Sequence, residues 1–151
     1  MVDTFKIYKG EDEIVSGPSP LAITGLEPDT AVPAGEYQAT RVSNDKESDR
    51  VDIPAFKTLP IAVTGLSISP KNSTAEAGTA GSRQLTATVS PENATNKKVG
   101  YTITPETAGL EVSNSGNITW TADVPAGEYI TTGTTEDGNF TDSNTLTLTT
   151  P

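Results

Sequence analysis

The sequence has no cysteine and no histidine among its 151 residues. Their absence excludes a disulfide framework, a thiolate nucleophile, an imidazole base and the common zinc and copper sites. A nucleophilic serine would need another base, and no lysine motif supplies one. The sequence therefore predicts no catalytic residue, no metal ligand and no cofactor, and we expect a protein that is not an enzyme.

Basic residues are scarce as well. Ten Lys and Arg residues stand against 20 Asp and Glu residues, which gives a net charge of −10, and Lys97-Lys98 is the one adjacent basic pair. Nucleic-acid binding depends on clustered cations, so nucleic acid is excluded as an expected partner. Three acidic clusters, at residues 11–13, 45–49 and 136–139, lack the ligand pattern of a calcium loop. We interpret them as solvated hairpin turns.

Aromatic residues and long apolar runs are few. One Trp, four Tyr and three Phe are too few for the aromatic-lined cleft that a glycosidase uses to hold sugar. No apolar run approaches the roughly 20 residues that span a bilayer, and the first residues lack the basic and apolar blocks of a secretory signal. We expect no membrane partner and a chain made in the cytoplasm without a signal peptide.

What the sequence does contain is turn residues and short alternating segments. Thirteen Gly and 11 Pro recur at intervals of about ten residues, which is typical of many short strands joined by tight turns. The string Val-Pro-Ala-Gly-Glu-Tyr occurs twice, at residues 32–37 and 124–129. The predicted fold class is all-β, with two tandem immunoglobulin-like β-sandwich domains at residues 1–60 and 61–151, the first short and incomplete.

The repeated string is interpreted as a turn that leads into the penultimate strand of each domain. Tyr37 and Tyr129 would then be tyrosine corners, in which the phenol hydroxyl bonds to the backbone a few residues upstream. We interpret both as structural residues rather than as parts of a binding motif.

Residues 61–151 have room for a complete sandwich of seven strands, predicted at residues 62–69, 83–90, 99–104, 109–113, 117–121, 128–134 and 140–149. Alternation with a period of two assigns most of the large apolar side chains to its core. The predicted core residues are Val63, Leu66, Ile68, Leu85, Ala87, Val89, Val99, Tyr101, Ile103, Leu110, Val112, Ile118, Trp120, Tyr129, Leu146 and Leu148.

Residues 1–60 lack sequence for two opening strands. Strands are predicted at residues 5–8, 13–15, 21–23, 37–42 and 50–56, with a bulge or register change at Arg41. Such a short half would bury only about 60% of the surface of its unfolded chain. We expect it to be an anchor stabilised by the second domain, by self-association or by a partner. Phe5, Ile7 and Tyr8 are the candidate partner-binding residues, with Tyr8 on the outer face or on the incomplete sheet.

Two stretches carry a family resemblance. Residues 63–70 (Val-Thr-Gly-Leu-Ser-Ile-Ser-Pro) and 84–99 (Gln-Leu-Thr-Ala-Thr-Val-Ser-Pro-Glu-Asn-Ala-Thr-Asn-Lys-Lys-Val) closely resemble the bacterial immunoglobulin-like domain of the second group. The resemblance covers nearly all of residues 61–151, although Tyr101 stands where the family usually has Trp. The resemblance implies a protein of the kinds in which this domain occurs, namely bacterial surface adhesins and the tail, capsid and decoration proteins of phages.

The first half resembles a truncated fibronectin type III module. Residues 5–9 are similar to its third strand, residues 24–30 (Thr-Gly-Leu-Glu-Pro-Asp-Thr) to its turn before the corner, and Tyr37 to its corner tyrosine. Neither family is defined by a catalytic residue. The resemblance therefore implies display, spacing or adhesion rather than a reaction.

These observations favour a non-enzymatic phage virion protein, a capsid decoration or head fibre. Its N-terminal half would attach to the major capsid protein or another virion protein, and its C-terminal domain would be displayed outward on the virion surface. The alternatives are a tail protein or tail-tube appendage, a host-surface adhesive or carbohydrate-binding module with weak glycan binding, and a fragment of a surface adhesin. Self-association is a further possible contact.

Overall fold

The computed structural model describes residues 3–151, and these residues form strands, turns and loops without a helix. No described segment is therefore a helix long and apolar enough to span a membrane. The chain divides into two compact units, Met1–Pro60 and Ile61–Pro151. Short strands separated by Gly and Pro turns dominate both units, as their composition indicates.

The N-terminal unit is built on one five-stranded antiparallel sheet. Its strand order is β2-β1-β4-β5, with β6 also paired to β4. A separate two-stranded sheet joins β3 to β7. The strands are β1 (Thr4–Lys9), β2 (Asp12–Gly17), β3 (Ala31–Val32), β4 (Tyr37–Ser43), β5 (Lys46–Glu47), β6 (Val51–Asp52) and β7 (Phe56–Lys57).

The second layer of this unit is incomplete. Ile7, Val32 and Tyr37 form the buried centre of its core, and half-buried apolar side chains pack around them. Two of these, Leu21 and Ile23, were predicted to lie in a strand at residues 21–23. That prediction is wrong, because the segment contributes side chains to the core without pairing its backbone to any described strand.

The segment that returns along β4, which we call the return segment, does not form one continuous strand. The predicted strand at residues 50–56 forms only β6 and β7, which lie in different sheets. Val42 pairs with Glu47 and Ala39 pairs with Val51, so the register shifts by one residue between these pairs. Arg41 itself pairs regularly with Phe5 on β1. The register change expected at Arg41 is therefore present, and the extra residue lies in the return segment opposite it.

The C-terminal unit contains the strands of two facing sheets. One sheet has the order β12-β15-β16-β9, and the other layer is formed by β10-β14-β13 and by the pair β11-β8. The strands are β8 (Gly65–Ser69), β9 (Asn72–Glu76), β10 (Gly81–Gln84), β11 (Thr86–Ser90), β12 (Val99–Thr104), β13 (Leu110–Val112), β14 (Asn117–Trp120), β15 (Gly127–Thr135) and β16 (Thr141–Thr149).

The core of this unit agrees with the alternation of its sequence. All of the predicted core residues are buried or half-buried, and Ile118 and Leu146 are completely covered. Sequence reasoning missed Val124, which is 1% exposed, and the polar residues Thr131 and Asn144, which are 0% exposed. Hydrophobic periodicity does not identify these two polar residues. Asn144 is held by hydrogen bonds from its Nδ2 to Pro70 O and Ser73 Oγ, whereas the buried Thr131 hydroxyl has no partner among the described residues.

The chain changes sheets between β8 and β9. β8 pairs with β11, whereas β9 pairs in parallel with β16, and Pro70 lies in the connection. Two side chains of β16 bond to the backbone at this change: Asp142 Oδ2 accepts from Ile68 N at 2.6 Å, and Asn144 Nδ2 donates to Pro70 O at 2.8 Å. β16 thus holds the crossing segment by side chains where strand pairing stops.

Candidate interaction surface

Strand β1 carries all three candidate partner-binding residues. Phe5 and Ile7 lie on the inner face of the sheet, where Ile7 contacts the core and is 7% exposed. Tyr8 lies on the opposite, outer face, as its alternation indicates. It is only 8% exposed.

Polar partners cover Tyr8 from one side. The Tyr8 hydroxyl and the Thr40 hydroxyl both donate to Glu47 Oε1, each at 2.7 Å. Lys6 Nζ lies 3.3 Å from Glu47 Oε2 and 3.0 Å from Glu13 Oε2. These contacts form one connected network on the outer face, which we call the outer-face network. Its members are Lys6 and Tyr8 on β1, Glu13 on β2, Thr40 on β4 and Glu47 on β5.

The Arg50 guanidinium covers the ring of Tyr8 from above. Its Cζ lies 4.1 Å from the ring centroid, which is cation–π geometry, and its Nη1 donates to Gly10 O at 2.7 Å. The outer face around Tyr8 is therefore polar, and hydrogen bonds and ion pairs fix the positions of its charged groups. The role of Phe5, Ile7 and Tyr8 as partner contacts stays a prediction.

Hydrogen bonds set the ionisation of this outer-face network. Those from Tyr8 and Thr40 lower the pKa of Glu47 from 4.5 to about 2. Hydrogen bonds to Glu13 and Glu47 raise the pKa of Lys6, and the bond to Glu47 raises the pKa of Tyr8. Each pKa shift favours the ionisation state in which the group makes these contacts: Glu47 and Lys6 charged, Tyr8 neutral. The network is therefore fully formed at neutral pH.

The pKa of Glu47 predicts an acid dependence of the N-terminal unit. Because its folded pKa lies below the ordinary value, the stabilisation is present above about pH 4.5 and is lost as the pH falls towards 2. We expect Glu47→Gln to unfold at lower urea than the wild type near neutral pH, with the difference shrinking at acid pH. Urea titrations followed by the amide NMR signals of β1 and β4 measure this.

Glu27→Gln is the matched control for this substitution, since Glu27 is exposed and its carboxylate has no hydrogen bond or ion pair within the described residues. It should leave the urea midpoint unchanged at both pH values. A Glu47→Gln difference that stays constant with pH would contradict the assignment of the shift to Glu47.

The two copies of the repeated string have different backbone conformations. In residues 32–37, Glu36 N donates to Pro33 O at 3.4 Å and Gly35 has a φ of 80°, so the strand begins only at Tyr37. In residues 124–129, the turn lies earlier, at Val124 N to Thr121 O, and Gly127 already opens β15. The interpretation of the string as one turn used twice is therefore wrong, because different surroundings select different conformations for it.

The two tyrosines of the string differ accordingly. The Tyr129 hydroxyl donates to Pro125 O at 2.9 Å, four residues upstream, which is the bond of a tyrosine corner. No such bond joins Tyr37 to upstream backbone within the described residues. Instead Tyr37 packs against Phe56, and Lys9 Nζ lies 5.3 Å from its ring centroid. Tyr37 is thus a core residue of its unit.

This difference predicts unequal effects of removing the hydroxyl. Tyr129→Phe should lower the free energy of unfolding of the C-terminal unit by about 1 kcal/mol, because the Pro125 carbonyl loses its donor. Tyr37→Phe should have a smaller effect on the N-terminal unit. Chemical denaturation of each variant measures both, and equal losses would contradict the distinction.

The acidic clusters include turns, as the sequence indicates, but several of their carboxylates have defined partners, among them Glu13 on β2, which forms an ion pair with Lys6. Glu47 lies at the centre of the outer-face network, and Asp137 Oδ2 accepts from Val63 N at 2.8 Å. Nothing in the composition of these clusters distinguishes these residues from their solvated neighbours. Across residues 3–151, no group of three or more acidic side chains lies close enough to hold a metal ion.

Comparisons with known proteins agree with the fold. No family model matches the chain. An "Ig-like virion protein" of Serratia phage KSP90 is 39% identical over 88 residues, which cover 58% of this chain and 32% of that protein. The chain therefore spans about a third of the length of this relative.

Solved structures show the same fold class. Drosophila N-cadherin EC1-4 matches 99% of this chain and 41% of its own, with a TM-score of 0.51 at 12% identity. The fibronectin(III)-like modules of Clostridium thermocellum CbhA match 99% of this chain and 79% of their own at 17% identity, with a TM-score of 0.36. The predicted all-β fold of immunoglobulin-like units is confirmed.

Proposed function

We propose that the chain is a non-enzymatic structural component of a phage virion. The observation that carries this proposal is the 39% identity over 88 residues to an Ig-like virion protein of a Serratia phage. The immunoglobulin-like fold is consistent with a display or spacing role, although a fold by itself does not determine function.

Within that role, we propose a capsid decoration or head fibre on the virion surface. The N-terminal unit, a truncated fibronectin type III-like module, attaches to the major capsid protein or another virion protein. The C-terminal unit, a bacterial immunoglobulin-like domain of the second group, is displayed outward. Two features support attachment by the first unit. Its second layer is incomplete. Val51 is 66% exposed, although strand pairing aligns it with Ile7 and Ala39 on the inner face of the sheet.

Attachment can be tested on particles made without the chain. Purified wild-type protein should bind to such particles, and Val51→Asp should bind about tenfold more weakly, because a carboxylate would be buried against the partner. Ile130→Asp is the matched control, since Ile130 is 45% exposed but belongs to the other unit. Equal binding by the two variants would contradict attachment through the inner face of the first unit.

A tail protein or tail-tube appendage is the main alternative location. Gold-labelled antibodies against the C-terminal unit should decorate the heads of intact particles in electron micrographs. Label confined to tails would replace the head assignment while leaving the virion role intact. An adhesive role is less well supported, since no aromatic residue lines the cleft of the C-terminal unit at residues 98–100, 114, 134–136 and 139.

A further inference from the structure

Two fully buried polar side chains of the C-terminal unit each have an oxygen without a hydrogen-bond partner. They are Thr131 on β15 and Asn144 on β16, both 0% exposed. Thr131 Oγ1 and Asn144 Oδ1 bond to no group of the described residues. A buried hydroxyl or carbonyl oxygen that stays unpaired costs free energy, and nearly all such groups in folded proteins bond to protein or to ordered water. Each of these oxygens therefore needs a partner.

The two side chains lie directly opposite each other. Thr131 pairs with Asn144 in the antiparallel ladder of β15 and β16. Residues paired in this way point to the same face of a sheet, with Cβ atoms about 4.5–5.5 Å apart. Here that face is the interior of the sandwich, because both residues are fully buried. One water molecule can span two oxygens at such a separation, since each of its hydrogen bonds measures about 2.8 Å.

The neighbouring pairs on the same face leave these two oxygens without a protein partner. On one side, Tyr129 pairs with Leu146, and both belong to the hydrophobic core. On the other side, Gly133 has no side chain, and the carboxylate of its partner Asp142 bonds to the backbone of β8 and to the lysine of the β8–β9 connection. The two oxygens thus face each other between an apolar pair and a carboxylate that is engaged elsewhere.

Ser73, on β9, adds a third polar group at this place. It is buried, and Asn144 Nδ2 donates to its Oγ at 3.2 Å. A hydroxyl that accepts one hydrogen bond still has its own hydrogen to donate. Internal waters typically make about three hydrogen bonds to buried polar groups. The hydroxyls of Thr131 and Ser73 as donors and Asn144 Oδ1 as acceptor form such a set.

We propose that Thr131, Asn144 and Ser73 hold one internal water molecule inside the C-terminal sandwich. The water donates a hydrogen to Asn144 Oδ1 and accepts from the Thr131 hydroxyl, and the Ser73 hydroxyl is its third partner. It thereby joins β15 to β16 and β9 beside Pro70, whose carbonyl also accepts from Asn144 Nδ2. The site depends only on the fold of this unit and is independent of the proposed virion role.

Oxygen-17 relaxation dispersion of water tests the site in the full-length protein, because it counts long-lived internal waters and does not detect protein hydroxyl groups. The wild type should contain at least one such water. Thr131→Val replaces the hydroxyl with a methyl group, and this variant should contain one fewer. It should also lower the folding equilibrium constant of the unit about fivefold, because a hydrogen bond to the water is lost.

Three control variants separate the water from other effects of the substitution. Thr135→Val removes a buried hydroxyl that donates directly to Asp137 O at 2.7 Å, so stability should fall while the water count stays the same. Thr132→Val, at the next position of β15 on the outer face, should change neither quantity. Thr131→Ser keeps the hydroxyl and should keep the water.

The proposal is overturned if the wild type contains no long-lived water. It is equally overturned if Thr131→Val is as stable as the wild type or more stable, since its hydroxyl would then make no favourable bond. A loss of stability with an unchanged water count would show that Thr131 bonds directly to Asn144. Ser73→Ala, which removes the third partner, is the second variant should Thr131→Val fail to fold, and it must also reduce the count of long-lived waters.

Discussion

Replacing Gly81 with alanine should lower the free energy of unfolding of the C-terminal unit by about 3 kcal/mol, the upper end of typical overpacking costs. Gly81 lies directly across from Trp120 in the β10–β14 pair, and a Cβ there would lie 2.4 Å from Trp120 Cζ2. Trp120 is 6% exposed, and its indole N–H donates to Thr79 O at 3.1 Å. The ring is therefore held on both sides and has no room to move away from an added methyl group.

Gly65→Ala is the matched control, because no heavy atom lies within 4 Å of the Cβ it would add to β8. This control should be neutral or slightly stabilising, since alanine reduces the freedom of the unfolded chain. Trp120 is the one tryptophan in the chain, so its fluorescence reports directly on unfolding of this unit. Equal unfolding midpoints for the two variants would show that the ring is not confined.

Replacing Asn144 with alanine should have an effect of similar size, about 3 kcal/mol. Its side chain is fully buried, and Nδ2 donates both to Pro70 O at 2.8 Å and to Ser73 Oγ at 3.2 Å. The substitution removes both bonds and leaves a small cavity at the point where the chain passes from β8 to β9. We expect β9 to separate from β16 before the rest of the unit unfolds.

Asn114→Ala, at an exposed turn position, should change the unfolding free energy by less than about 0.5 kcal/mol. Hydrogen exchange distinguishes the expected local effect from a general one. In Asn144→Ala, the amides of β9 should exchange faster than those of β12 and β15. Uniform acceleration across all strands would contradict a specific role for Asn144 at the sheet change.

Much of the fold follows from alternation in the sequence, and the exceptions have identifiable causes. Residues 99–104 form the predicted strand because apolar and polar side chains alternate where one face is buried. Residues 83–90 were predicted as one strand but form β10 and β11 in different sheets. β9 was not predicted at all, since its polar sequence pairs with β16 through the backbone. Pairing partners and sheet changes depend on distant residues that local periodicity does not report.

The candidate surface was only partly predictable. Alternation correctly placed Tyr8 on the face opposite to Ile7, but it gave no indication that Arg50 and Glu47 would cover the ring. Both come from the return segment about 40 residues later, in a stretch whose charges resemble those of any solvated turn. The repeated string was misleading for the same reason, because six identical residues adopt different turns when their tertiary contacts differ.

The central claim, that the chain is part of a virion, is tested most directly by quantitative mass spectrometry of density-purified particles from the phage that encodes it. The account predicts peptides from both units at a constant ratio to the major capsid protein through successive purification steps. Loss of these peptides while the capsid protein is retained would contradict it.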